Sequence, residues 1–273
     1  MKIWKNTSTL DNLSPLVEET GSPEEAELAV LGSRPLDLEA FPRLRALFKC
    51  GVGTDNIPFA KCRERGILIG MPSEATKTII YEETANFTVF LLLRQLYQDV
   101  GNWGKWEKRS RPFLGDQKIL LIGQGNIGRR VREKLSPLCR VLTYDIIAQT
   151  PDALRPLMQE ARAISLHIPL NDVNRGFLDA EKLSWLPDGA IVVNTSRGPI
   201  IEEMALHREC ASGRLRAALD VFWQEPYQGP LADLPEPPVY RSPHVASTCE
   251  DFLRGLARDL EAFHQTLLAA PEA

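Results

Sequence analysis

Short apolar runs alternate with longer amphipathic stretches from one end of the chain to the other. The runs at 2–4, 28–31, 46–48 and 67–69 are of strand length, as are those at 118–122, 140–144, 163–168, 190–195, 215–221 and 239–241. Continuous runs rich in Ile, Val and Leu, bounded by turn residues, predict strands buried on both faces. Helical spacing predicts helices over 129–135, 151–160, 181–186, 202–212 and 250–268. Ser22-Pro23-Glu24-Glu25 has the form of a further helix start, with Ser22 as N-cap, Pro23 at N1 and Glu25 at N3. The strongest helix, 79–98, is apolar on most faces (Phe87, Phe90, Leu91, Leu92, Leu93), which predicts burial on several sides or at a subunit contact. Segment 101–115, with Trp103, Trp106 and a basic run, is expected to be a solvated connection, and 226–238 a Pro-rich loop. Strands taking turns with helices predict a doubly wound parallel sheet.

Composition narrows the possibilities. The 273 residues suffice for one large domain or two modest ones. With 44% hydrophobic and 25% charged residues and a net charge of −4, the chain reads as a soluble globular protein, and nothing marks it as binding nucleic acid or an anionic membrane. No apolar run approaches the ~20 residues of a membrane span, and residues 1–10 lack the apolar core of a signal peptide. Five cysteines (Cys50, Cys62, Cys139, Cys210, Cys249) without C-x-x-C spacing read as reduced thiols of a cytoplasmic protein. Four scattered histidines predict no metal centre.

The most informative stretch is 118–145. An apolar run is followed at once by Gly123-Gln124-Gly125-Asn126-Ile127-Gly128, then by helical spacing, then by a second apolar run ending in Asp145. This is the order a dinucleotide site requires. Gly123 permits the tight bend, Gly125 lets a pyrophosphate approach bare backbone, and Gly128 lets the helix lie close to the strand. The amides at the helix start, including those of Asn126 and Ile127, face the phosphates. Asp145, 22 residues beyond Gly123, can accept from the adenosine ribose hydroxyls. Residues 146–149 offer no Arg or Lys for a 2′-phosphate, so the expected cofactor is NAD rather than NADP.

Three polar side chains sit just past strand ends, where open α/β sheets hold their ligands: Arg197, Glu225 and His244. Together they suit hydride transfer to a 2-keto acid. A guanidinium grips a carboxylate bidentately. A histidine exchanges a proton with the carbonyl oxygen, and a carboxylate beside it favours the imidazolium.

The stretches GVGTDNI (51–57), GQGNIG (123–128), SLHIPLNDVNRGFL (165–178), NTSRGPIIEE (194–203), ALDVFWQEP (218–226) and SPHVAS (242–247) resemble the D-2-hydroxyacid dehydrogenase family over nearly the whole chain. That resemblance implies a Rossmann cofactor domain, here 78–247, inserted in a smaller flavodoxin-like substrate domain of 1–77 plus 248–273, with a cleft between them. It implies that Arg197 orients substrate, Glu225 supports the histidine and His244 is the acid/base. Asp220 would lie near the nicotinamide carboxamide, Pro169 and Thr195 would line the cofactor groove, and the amides of Val52 and Gly53 would hold the substrate carboxylate. Lys49 and Arg34 fall where phosphoglycerate-using relatives carry basic residues. A homodimer is implied as well. The chain departs from the family in three places. It is short by a helix–strand unit before Ala29, it has one element fewer between Asp145 and Ala163, and it carries Glu82-Glu83 where relatives have Glu-His. The expected reaction interconverts a small D-2-hydroxy acid and its 2-keto acid. The alternatives are 3-phosphoglycerate oxidation, formate or phosphite oxidation, and NAD(H) sensing by a corepressor-like binding protein.

Overall fold

The computed structural model describes residues 1–17 and 21–269 and divides into two compact units, 1–80 with 247–273 and 81–246. Residues 270–273, part of the expected substrate domain, lie outside the described residues.

The first unit holds a parallel sheet of β1 (Ile3–Lys5), β2 (Leu28–Leu31), β3 (Ala46–Lys49) and β4 (Leu68–Gly70), in the spatial order β1-β2-β3-β4. A flavodoxin-like sheet runs 2-1-3-4-5. Deleting its second strand leaves this straight run, which is the shortening expected before Ala29. One face packs on α7 (Glu250–Ala269), through Phe48, Leu256 and Leu260. The other packs on α1 (Phe59–Glu64), through Leu47 and Cys62. Two expectations fail here. Ser22-Pro23-Glu24-Glu25 makes a single 3-10 turn, and the Ser22 side chain caps nothing, because Ala26 is already extended on the way into β2. The long helix α2 (Glu74–Leu96) starts five residues before Ile79. Its start is set by Ser73, whose Oγ accepts from the Thr76 amide at 3.3 Å and bonds Asp259 of α7. These polar first-turn residues hid the start from a reading based on apolar spacing.

The second unit is a six-stranded parallel sheet. Its strands are β7 (Lys118–Ile122), β8 (Arg140–Tyr144), β9 (Ala163–Leu166), β10 (Ile191–Asn194), β11 (Arg216–Leu219) and β12 (Val239–Arg241), in the order β12-β11-β10-β9-β7-β8. Read from β8 this is 2-1-3-4-5-6. The dinucleotide-binding order 3-2-1-4-5-6 without its outer strand 3 is 2-1-4-5-6, and the sheet has that order with one further strand, β12, at the far edge; the absent outer strand matches the element missing after Asp145. Helices α4 (Leu154–Glu160), α5 (Ala180–Ser184) and α6 (Glu203–Ala211) accompany the face bearing Leu120, Ile164 and Val192. α3 (Asn126–Leu135) and α2 cover the face bearing Leu121, Ala163 and Val193. Glu82 of α2 bonds Arg130 at 2.8 Å and Lys134 at 2.9 Å on α3, so the residue pair that departs from the family pattern is used partly to join two helices. The segment expected as a plain connection contains a two-stranded antiparallel hairpin, β5 (Gly101–Asn102) and β6 (Glu107–Lys108).

The strand order reverses between β7 and β9. Ligands of open α/β sheets bind at such a point, outside the carboxyl ends of the strands.

Candidate active site and cofactor site

The glycine turn leaves β7 at this reversal. Gly123 has φ +99°, a conformation that L side chains rarely adopt, and its amide donates to the Tyr144 carbonyl at 2.7 Å. A Cβ on Gly128 would fall on the Gly123 carbonyl, so only glycine lets α3 begin this close to the strand. Gly125 and Asn126 are exposed, Ile127 is half-buried, and a Cβ on Gly125 would meet nothing within 4 Å. No side chain caps α3 at Gly125. An anion therefore has both room and unoccupied helix-start amides, and the turn fits a pyrophosphate. Asp145 stands at the end of β8. Its Oδ2 accepts from the Gln124 amide at 3.1 Å and its Oδ1 from the Ile147 amide at 2.9 Å. These bonds fix the carboxylate beside the glycine turn, and each oxygen keeps a lone pair for a ribose hydroxyl.

The polar residues of the later strand ends are brought together in the same unit. Glu225 takes His244 Nδ1 on both oxygens, at 2.8 and 3.1 Å, and accepts from the Phe222 amide at 3.2 Å. With Nδ1–H committed to the carboxylate, Nε2 is the nitrogen left to exchange a proton. His244 has φ +53°, an uncommon conformation for a side chain of its size. Asp220, fully buried, holds that turn in place. Its Oδ1 accepts from Ser242 Oγ at 2.6 Å and the Val245 amide at 2.9 Å, and its Oδ2 from the Ala246 amide at 2.9 Å. Burial pushes the Asp220 carboxyl upward, and these three donors pull against it. Arg197 follows β10 on a turn set by Asn194, whose side chain donates to the Arg197 carbonyl at 2.8 Å and accepts from the Ser196 amide at 2.9 Å. A Cβ on Gly198 would overlap the backbone of Phe222 and Trp223, so the Arg197 turn packs directly on the loop that carries Glu225.

Other residues singled out in the sequence have different surroundings. The Thr195 hydroxyl turns inward to Thr88 of α2, at 2.8 Å, so only its backbone is left for a groove. Pro169 is exposed, and its carbonyl accepts from Asn174 at 2.8 Å. In the first unit, Val52 and Gly53 are half-buried in the turn after β3, which Asn56 ties down through the Gly32 and Arg34 carbonyls at 2.9 and 2.7 Å. Lys49 is 2% exposed, and its ammonium bonds the Gly32 carbonyl and, at 2.8 Å, Asn56 Oδ1. Those contacts brace this turn.

The sequence model of the "D-isomer specific 2-hydroxyacid dehydrogenase, NAD binding domain" matches residues 90–246. Among curated relatives, the hydroxypyruvate reductase of Thermotoga maritima is 34% identical over 232 residues, covering 78% of this chain and 74% of its own. The chain belongs to the D-isomer-specific 2-hydroxyacid dehydrogenases. The (S)-sulfolactate dehydrogenase of Chromohalobacter salexigens is 30% identical over the same shares of the two chains. Among solved structures, the D-lactate dehydrogenase of Aquifex aeolicus, complexed with NAD and lactic acid, has a TM-score of 0.77 at 24% identity, over 90% of this chain and 84% of its own.

The dehydrogenase is thus an NAD-dependent oxidoreductase, and the turn at 123–128 with Asp145 is where its own residues fit NAD. Sequence reading missed several supporting residues of this dehydrogenase. Asn194, Ser196 and Ser242 act through backbone carbonyls, amides and Asp220, and they lie inside motifs already singled out.

Proposed function

We propose that the dehydrogenase interconverts a small, unphosphorylated D-2-hydroxy acid and its 2-keto acid, with His244 as acid/base, Glu225 as its support and Arg197 as the carboxylate-binding residue. The observation that carries this reading is the 2.8 Å His244–Glu225 pair on an Asp220-braced turn, within the unit that binds NAD. NADH, once bound, supplies the hydride that reduces the carbonyl carbon. Arg197 neutralises the substrate carboxylate and draws charge toward the carbonyl oxygen. His244 Nε2 gives that oxygen its proton, and Glu225 stabilises the imidazolium before transfer; oxidation runs the same steps backward. The Val52 and Gly53 amides are proposed to take the substrate carboxylate as well.

Relatives named for hydroxypyruvate and glyoxylate reduction point to a two- or three-carbon acid. The D-3-phosphoglycerate dehydrogenase relatives, 28% and 31% identical, gain less support, because the Lys49 ammonium is occupied in its own unit. We also propose a homodimer. Trp103 and Trp106 are 83% and 72% exposed on the β5–β6 hairpin, with Phe113 exposed close by in the chain, which is more aromatic surface than a monomer usually leaves in water. Five free cysteines and the lack, among described residues, of a helix able to cross a membrane fit a cytoplasmic site of action.

The test is loss of NADH absorbance with glyoxylate, pyruvate, hydroxypyruvate, phosphohydroxypyruvate and 2-oxoglutarate. Turnover of one of the first three is expected. Preference for phosphohydroxypyruvate would favour the phosphoglycerate reading, and tight NADH binding without turnover would favour NAD(H) sensing.

A further inference from the structure

Glu225 sits on a surface loop, between the exposed residues Gln224 and Pro226, and the loop is anchored by side chains farther along it. Phe222, whose amide donates to Glu225, stacks on Tyr227 with ring centroids 4.6 Å apart and planes 23° apart. The Tyr227 hydroxyl donates to Oε1 of Glu203, the first residue of α6, at 2.7 Å and accepts from the Leu231 amide at 3.1 Å. One side chain thus holds the loop before Glu225, after it, and onto a helix. Gly229 closes over this contact, since a Cβ there would come within 2.4 Å of Glu203 Oε1 and 2.5 Å of the Tyr227 hydroxyl. The far end of the loop is tied as well. Arg241 of β12, three residues before His244, donates to the Leu231 and Leu234 carbonyls at 2.7 and 2.9 Å. Hydrogen bonds therefore link the strand that delivers the histidine to the loop that delivers its carboxylate.

The Tyr227–Glu203 bond has a fixed sense. Burial and the Glu203 carboxylate push the phenol up, so it stays protonated and is the donor of the pair. A hydroxyl that donates once and accepts once is fully used here, and phenylalanine would keep the stacked ring while losing both bonds. A proton-exchanging pair depends on hydrogen-bond reach, and a misplacement of about 1 Å costs up to about 100-fold in rate.

We propose that Tyr227 is a positioning residue for proton exchange, holding the Glu225 carboxylate against His244 Nδ1 by fastening the loop 222–231 to Glu203. This role rests on the acid/base reading of His244 and Glu225, and Glu225→Gln is included in the test so that the two can fail separately.

Single-turnover oxidation of bound NADH is measured with the fastest of the five keto acids for wild type, Tyr227→Phe, Glu203→Ala, the double variant and Glu225→Gln, with sites counted by NADH titration. Tyr227→Phe should slow the step about tenfold per site, the rate equivalent of one lost hydrogen bond, while NADH affinity and the half-saturating keto-acid concentration stay within about twofold. Glu203→Ala should do the same, and the double variant should be no slower than either, because all three break one contact. The hydrogen-bonded Nδ1 proton of His244, resolved by NMR in wild type and absent from His244→Gln, should exchange faster with water in Tyr227→Phe. A lower melting temperature with an unchanged rate per site and an unchanged Nδ1 proton would mean that Tyr227 only stabilises the fold, and would overturn the proposal. Wild-type turnover in Glu225→Gln would instead overturn the acid/base reading, and the Nδ1 proton would then decide alone whether Tyr227 holds the pair. If Tyr227→Phe does not fold, Glu203→Ala decides by the same two readouts.

Discussion

His167→Gln should make the dehydrogenase less sensitive to acid. The folded chain holds the imidazole down at about 3, because its nitrogens are buried, whereas an unfolded histidine titrates near 6.5. Between those values the unfolded chain binds a proton that the folded chain refuses. Stability therefore falls as pH drops below about 6.5, with a limiting slope of about 1.4 kcal/mol per pH unit. Carried from pH 6.5 to 4.5, the His167 contribution is a loss of roughly 2 kcal/mol, against a total of roughly 5–15 kcal/mol for a typical domain. Above pH 7 the contribution vanishes. The assay is urea unfolding followed by tryptophan fluorescence at several pH values, in wild type and His167→Gln. Trp103, Trp106, Trp185 and Trp223 all report on the unit that contains His167. Every other titrating group, including His264, whose burial also lowers it, is common to both proteins, so the difference between the two pH profiles isolates one imidazole. Profiles that stay parallel from pH 6.5 to 4.5 would refute the argument, since they would mean that the folded protein protonates His167 freely.

Three further substitutions probe separate parts of the site. Arg197→Ala should lower kcat/KM for the keto acid on the order of 100-fold, the loss of a paired charge-assisted contact, while NADH affinity by fluorescence stays within about twofold. Asp145→Ala should weaken NADH about tenfold and NADPH less if, as proposed, the carboxylate accepts from ribose hydroxyls and repels a 2′-phosphate; an unchanged ratio in a binding titration would remove Asp145 from cofactor choice. Gly128→Ala places a methyl on the Gly123 carbonyl, a backbone atom that cannot swing aside. It should cost about 1–3 kcal/mol of stability by urea unfolding and weaken NADH together with it.

Much of the second unit was legible because its strands are predominantly apolar runs, and β7 and β8 end where the sequence pattern ends. The glycine turn was legible because two of its glycines answer separate steric demands, seen in the φ of Gly123 and in the backbone that blocks a side chain at Gly128. Where polar residues open or brace an element, the pattern was silent. α2 begins on Ser73 and Thr76, not on its first apolar residue, and Asp220, expected beside the cofactor, commits three acceptor positions to the His244 turn. Ser22 shows the opposite error, a local helix-start signal overridden by a strand two residues beyond the turn. Lys49 could not be assigned from sequence because its partners, Gly32 and Asn56, are 17 and 7 residues away. Only the fold reveals that its charge is taken up there.

Proton exchange in this dehydrogenase is proposed to run through His244, held by Glu225. The most direct measurement is single-turnover oxidation of enzyme-bound NADH by a small 2-keto acid, comparing wild type with His244→Gln after confirming equal NADH affinity. Loss of general acid catalysis should slow the step by roughly 100- to 10,000-fold. A glutamine variant that turns over at the wild-type rate with NADH bound would remove His244 from proton exchange.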